Sequence, residues 1–229
     1  MLPASTPFPA FPARPPFTRS YDRIELLADA VVHTAGLGLA LGGTVLLISA
    51  ADNLTGIQGA SVWIYCIGLF TMIGISAVYN LWPVCGLKWF LRRFDHSAIY
   101  VFIAATYTPF LLQAQESFNT TALLLVIWSV ALIGVMLKLF FPGRLERVSI
   151  FLCLALGWSG VLAYDAVFSH LSTSALGFIV AGGLVYSGGV IFHLWDRLRF
   201  QNAIWHAFVV VAAALQYVAV FNSVIKVGA

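Results

Sequence analysis

Seven apolar stretches, each long enough to cross a bilayer, follow one another along this chain with little sequence left between them. A spanning helix needs roughly 20 apolar residues, because in hydrocarbon only its own backbone can satisfy its hydrogen bonds. The stretches fall at Leu26–Ala50, Ile57–Trp82, His96–Gln113, Thr120–Phe141, Arg147–Phe168, Ser172–Trp195 and Ala203–Ile225. Of 229 residues, 61% are hydrophobic and 9% charged, against about 25% charged in soluble domains. No room remains for a second, soluble domain. The expected fold is an all-α integral membrane protein, a seven-transmembrane-helix bundle occupying residues 21–229. Residues 1–20 are set apart as a Pro-rich, disordered tail, since Met1 to Phe17 hold six of the nine prolines and almost no charge. A signal peptide would need a basic start and a continuous apolar core, and both are missing.

The basic residues alternate across these spans. Arg14, Arg19 and Arg23 precede the first, and Lys88, Arg92 and Arg93 follow the second. Lys138, Arg144 and Arg147 lie at the junction of the fourth and fifth, and Arg197 and Arg199 follow the sixth. The other connections carry none, and only Lys226 follows the seventh. Eleven of the twelve Lys and Arg side chains therefore fall on one side. Cytoplasmic flanks collect such cations, so the N-terminus is expected in the cytoplasm and the C-terminus outside. One missed helix would scramble the alternation, which supports the count of seven.

Several function classes drop out. Cys66, Cys85 and Cys153 form no pair motif, so no disulfide framework is suggested. No nucleic-acid module, phosphate-binding glycine loop or internal repeat of the transporter kind is present. Gly38-xxx-Gly42 and the run from Gly182-Gly183 to Gly188-Gly189 read as close helix packing. Trp63, Tyr65, Trp82, Trp89 and Trp195 read as interface anchors. The expected partners are membrane lipids, with no nucleic acid.

Orientation gives each polar residue a depth. Glu25, Asp29 and His33 share one face of span one, since each step of four residues turns a helix by only about 40°. Ser76 and Asn80 lie near the cytoplasmic end of span two, and Asp95 and His96 open span three on that side. His193 and Asp196 close span six there; Asn202 and His206 open span seven. The outer half has far fewer, chiefly Glu116, Asp165 and His170. Ionisable groups at membrane depth are functional candidates by default, but each has a plainer reading. Asp95 can cap a helix N-terminus, Glu25 and Asp29 can complement a helix dipole, and His33 can be a satisfied packing residue. His206, Ser76, Asn80 and Gln216 can be ordinary interhelical hydrogen-bonding groups.

Taken together, Glu25-xxx-Asp29-xxx-His33, Ser76-Ala77-Val78-Tyr79-Asn80, Asp95-His96-xx-Ile99 with Thr106-Tyr107-Thr108-Pro109, and Ala203-Ile204-Trp205-His206-Ala207-Phe208-Val209 resemble the hemolysin III family. That bacterial family is related to the progestin and adiponectin receptors and, more distantly, the alkaline ceramidases. The resemblance covers about Tyr21 to Phe221. It implies the cytoplasmic (inner) membrane of a bacterium and a buried zinc ion at the cytoplasmic end. In the superfamily that ion is held by one histidine on span two and two, four apart, on span seven. A serine and an aspartate lie beside the bound water. Carried over by position, Ser76 matches the serine, Asp95 the aspartate and His206 the second histidine of span seven. Asn80 and Asn202 stand where the other two histidines belong. Zinc prefers imidazole or thiolate to an amide oxygen, so these replacements weaken the implied site. His193 and His33 are the residues that could replace a missing ligand.

Three functions are open on this sequence. The first is a metal-dependent hydrolase of a lipid amide or ester, with Asp95 handling protons and Ser76 positioning substrate or stabilising the oxyanion. The second is a non-catalytic membrane protein, sensing lipid state, binding a partner or acting cytolytically, in which the cluster is a hydrogen-bond network. The third is a proton or ion path, disfavoured by the scarcity of polar groups in the outer half.

Overall fold

The computed structural model describes residues 21–54, 56–113, 118–142, 145–162 and 171–228. The Pro-rich tail with Arg14 and Arg19, the residues Glu116, Arg144, Asp165 and His170, and the Lys226 side chain lie outside the described residues. Every regular element among the described residues is an α-helix: α1 (Arg23–Ala50), α2 (Gly56–Leu81), α3 (Gly86–Leu112), α4 (Phe118–Phe140), α5 (Glu146–Leu162), α6 (Thr173–His193) and α7 (Gln201–Gly228). Five of them, α1, α2, α4, α6 and α7, are long and apolar enough to cross a membrane. The other two differ for visible reasons. Lys88, Arg92, Arg93 and Asp95 fall in α3, and the described part of α5 is 17 residues long.

The bundle is built around α3, which packs against α2, α4, α5 and α7. From Ala104 to Leu111 every α3 residue is buried. Outside this centre, α1 packs on α2 and α7, and α6 on α5 and α7. Outward faces carry large exposed apolar groups such as Leu27, Val31, Leu39, Leu46, Leu125 and Phe151, the surface that lipid rather than water solvates. Polar tethers fix helix pairs within the apolar interior. Tyr100 Oη donates to the Ser149 carbonyl at 3.0 Å, and Tyr107 Oη to the Gly157 carbonyl at 2.7 Å. Tyr217 Oη donates to the Gly43 carbonyl at 2.7 Å, and Gln216 Nε2 to the Ile179 carbonyl at 3.1 Å.

Close approach is built on glycine where the neighbour is rigid. A Cβ on Gly134 would meet the Tyr100 ring at 2.4 Å, and one on Gly68 would meet Ala105 Cβ at 2.6 Å. The same holds on α6 for Gly189, where a Cβ would meet Phe208 Cβ at 2.8 Å; at Gly183 the Trp158 ring is 3.1 Å away, and at Gly182 the near atom is the end of the Gln216 side chain at 2.9 Å. It does not hold for Gly38 and Gly42, which face outward with nothing within 4 Å. Their spacing matches the packing pattern, but the partner face of α1 lies elsewhere, along Gly36 and Ala40.

One boundary matters for the site. The hydropathy reading starts span three at His96, whereas α3 begins at Gly86, so Asp95 sits inside a continuous helix and does not cap it. The extra turns form because this segment has its own anchors. Lys88 Nζ donates to the carbonyls of Asn80 and Trp82 at 2.9 Å each, satisfying acceptors at the end of α2. Hydropathy alone cannot see such a turn, because its anchors reach across to another element.

Candidate functional site

The entry of α1 is held by a capping box. Asp22 Oδ1 accepts from the backbone of Ile24 and Glu25 at 2.8 Å, and Glu25 Oε2 accepts from Asp22 N at 3.0 Å. Glu25 Oε1 also accepts from Phe200 N at 3.0 Å, tying the start of α1 to the start of α7. Phe200 has a φ of 59°, a left-handed turn that brings the chain sharply into α7. This clamp sets Asp29 and His33, one and two turns further along α1, against Asn202 and His206 of α7.

The result is a buried cluster drawn from three helices. Asp29 Oδ1 lies 2.6 Å from His206 Nδ1, and Asp29 Oδ2 accepts from Asn202 Nδ2 at 2.9 Å. Asn202 Nδ2 also donates to Asn80 Oδ1 at 3.0 Å, and Asn80 Nδ2 donates to the Ser76 carbonyl at 2.9 Å. His33 Nδ1 lies 2.9 Å from the Asp29 carbonyl oxygen. Both imidazoles therefore have Nδ1 against an acceptor, and in the neutral tautomer with the proton there each Nε2 carries a lone pair. Both lone pairs face Ser76 Oγ, at 3.2 Å from His33 and 3.4 Å from His206. The two rings meet edge-on with centroids 4.4 Å apart. Asp29, His33 and His206 are 2%, 3% and 6% exposed, so an unmatched charge here would be costly.

The serine hydroxyl has one proton for two imidazole acceptors, and Asn80 Nδ2, 3.4 Å from His206 Nε2, supplies a second donor only partly aligned with the need. The centre is rich in lone pairs, a chemistry that suits a cation. Asp29, His33 and His206 each offer a ligand atom, all within 4.8 Å of one another, so this buried group could hold a metal ion. The amides of Asn80 and Asn202, at the positions where the resemblance implies histidines, are hydrogen-bonded to each other.

Of the residues singled out in the sequence, Ser76, Asn80, Asn202 and His206 meet in this cluster. Asp95 lies outside these contacts, its carboxylate 3.9 Å from His96 Nε2. His193 lies outside them too, with its ring against Trp205 at 4.8 Å and its carbonyl accepting from Gln201 Nε2 at 2.8 Å. His33, named from the sequence as a residue that could replace a missing ligand, is in the cluster, and so is Asp29. Each has a plain structural reading from sequence, yet together they supply half of the cluster's contacts. The signal that points to them is their common face, four residues apart and in register with Glu25.

Residues 25–217 match a family described as Haemolysin-III related. The chain belongs to the hemolysin III family. It is 36% identical over 211 residues to a Hemolysin-3 homolog of Bacillus subtilis (strain 168), spanning 89% of this chain and 96% of that protein. To Hemolysin-3 of Bacillus cereus it is 32% identical over 194 residues, 84% of this chain and 89% of the relative. The human Monocyte to macrophage differentiation factor is 30% identical over 204 residues, covering 86% and 84% of the two chains. No solved structure matches the chain. In this hemolysin III protein the matched region begins at Glu25, the capping residue of α1, and takes in the whole cluster. Family membership and the apolar helices together make it an integral membrane protein.

Proposed function

We propose that this chain crosses a bacterial inner membrane seven times, N-terminus in the cytoplasm, and hydrolyses a lipid amide or ester at the cytoplasmic end of its bundle. The observation that carries this reading is the convergence of His33 Nε2 and His206 Nε2 on Ser76 Oγ, with both Nδ1 atoms already held. Imidazoles that bind metals are commonly fixed in this way, through the far nitrogen to a carbonyl or carboxylate. In the buried Asp29, His33 and His206 group the two imidazoles would hold a zinc ion through Nε2, with Asp29 fixing His206 through Nδ1; the ion would supply a Lewis acid and a water of lowered pKa. Ser76 orients the reacting carbonyl. Asn80 Nδ2, 3.2 Å from Ser76 Oγ, is a donor beside that hydroxyl for the negative charge that develops on the substrate carbonyl oxygen. Asn202 keeps Asp29 in place. Asp95, with His96 at its side, exchanges protons between the cluster and the interface.

Element analysis of purified protein tests the metal, with turnover of lipid amide and ester substrates measured in parallel. The expected result is one ion per chain, lost in His33→Ala and in His206→Ala, with Asp95→Asn retaining metal but losing turnover. A folded wild-type protein free of metal and of turnover refutes the reading.

One observation favours a second reading. Asn80 and Asn202 bond to each other at 3.0 Å while Asn202 also bonds Asp29, so amides close the network without an ion. A non-catalytic membrane protein built this way would show the same thermal unfolding with and without a strong chelator.

A further inference from the structure

Beyond the buried cluster, and independent of whether it holds a metal, α3, α4 and α5 form two adjoining clefts near the interface. The first is lined by Arg92, Arg93, His96, Lys138 and Pro142. The second is a shallow groove, its enclosed part only about 10 Å³, lined by Leu137, Phe141, Leu145, Val148 and Leu152. Lys138 lines both, so they meet at its side chain.

The first cleft is cationic beyond what its own acid neutralises. Glu146 is the acid there: its carboxylate lies 2.6 Å from Lys138 Nζ, 3.1 Å from Arg92 Nη2 and 3.7 Å from His96 Nδ1. His96 also faces Asp95 at 3.9 Å, so two carboxylates stand against Arg92, Arg93, Lys138 and His96, while Arg93 spends Nη1 on the Leu139 carbonyl at 3.3 Å. Arg93 Nε is buried and has no acceptor. A donor left over in such a wall seeks an anion with several oxygens, and guanidinium groups suit phosphate well. The second cleft adds a direction. Phe141, Leu145 and Val148 expose 50%, 58% and 54% of their surface along it, too apolar for water and suited to an alkyl chain.

We propose that these clefts bind an anionic glycerophospholipid, its phosphate on Arg92, Arg93 and Lys138 and one acyl chain along Leu137, Phe141 and Val148. Charge complementarity selects the headgroup, and the shared lysine fixes where headgroup gives way to chain. Basic pockets between spanning helices at the headgroup level are known to recognise such lipids. Glu146 then acts as an internal competitor, occupying part of the phosphate's place when no lipid is bound.

The test uses the full chain, delipidated in detergent, with native mass spectrometry during titration by phosphatidylglycerol or by phosphatidylcholine of equal chain length. Phosphatidylglycerol binds the more tightly. Arg93→Gln weakens it by about five-fold, the effect of one lost surface cation. Glu146→Gln tightens it by about as much, a gain that no folding defect can imitate. Phe141→Ala, at an exposed position, weakens phosphatidylglycerol while leaving the melting midpoint unchanged. Equal binding of the two lipids overturns the proposal, as does a Glu146→Gln variant that binds more weakly. Displacement of the lipid by inorganic phosphate, with Phe141→Ala silent, overturns it in favour of a simple phosphate site.

Discussion

Replacing Asp29 by alanine removes the one acceptor that both α7 groups of the cluster share. His206 Nδ1 would lose a partner at 2.6 Å and Asn202 Nδ2 one at 2.9 Å. Leaving a buried donor unsatisfied costs about 1–3 kcal/mol; this applies in full to His206, while half-buried Asn202 keeps Asn80 Oδ1 at 3.0 Å and adds less. Interhelical hydrogen bonds in membrane proteins average nearer 0.6 kcal/mol in double-mutant cycles, since an unfolded chain in the membrane also finds partners. Burial decides between these figures. Asp29 is 2% exposed, and a bond to an ionised group is worth about 1.5–3 kcal/mol, so a loss near 3 kcal/mol is expected. The diagnostic quantity is the coupling. If Asp29 acts mainly through His206, then Asp29→Ala in a His206→Ala background costs less than in the wild type, by about 1.5–3 kcal/mol. Reversible unfolding in mixed micelles by increasing dodecyl sulfate, followed by tryptophan fluorescence, measures all four corners. Independent sites add within about 0.5 kcal/mol. Additivity of that quality would refute the contact on which the site is built.

Other consequences follow from separate parts of the structure. Gly134→Ala places a Cβ 2.4 Å from a Tyr100 ring that is itself fully buried and tied to Ser149; overpacking of this kind costs about 1–3 kcal/mol and should appear in the same unfolding assay, while Gly38→Ala, in open space, should not change it. Exposed Cys85, between α2 and α3, reports the proposed topology: a membrane-impermeant maleimide should modify it in inside-out vesicles and spare it in intact cells, with the buried Cys66 unreactive in both. The Lys88 backbone N–H beside its sulfur holds the Cys85 thiol below the usual thiol range, so a larger thiolate fraction is present at neutral pH. Labelling should therefore level off at a lower pH than for free cysteine, and an unshifted profile would remove that contact. Lys138→Met should destabilise less than Lys138→Met combined with Glu146→Leu, because after the single change the Glu146 carboxylate keeps Arg92 at 3.1 Å and His96 at 3.7 Å, while the double change leaves both without it; the order of the two unfolding midpoints decides.

The helices were largely legible because the forces that specify them are local. Apolar runs of membrane length place α1, α2, α4, α6 and α7 within a few residues of their ends. The start of α3 was not legible, since Gly86 to Phe94 is held by Lys88 reaching back to the carbonyls of α2, a contact between elements. The glycine pairs show the same limit. Gly38 and Gly42 have the spacing of a packing motif, yet spacing cannot say which side of a helix finds a neighbour.

For the site, the sequence by itself determined that polar groups gather toward one end of the bundle and that Ser76, Asn80, Asn202 and His206 are among them. Hydropathy and helical period suffice for that, because depth along a spanning helix is set by residue number. Only the tertiary structure decided which of those groups touch. His206 meets Asp29 across 177 positions of chain because the Glu25 to Phe200 clamp seats α1 on α7. The rotation of each helix about its axis fixes the rest: it turns Asp29 and His33 into the cluster and leaves Asp95 and His193 outside its contacts. For α1 that rotation is set by its packing on α2 and α7; the sequence shows that Asp29 and His33 share a face but not which neighbour the face meets.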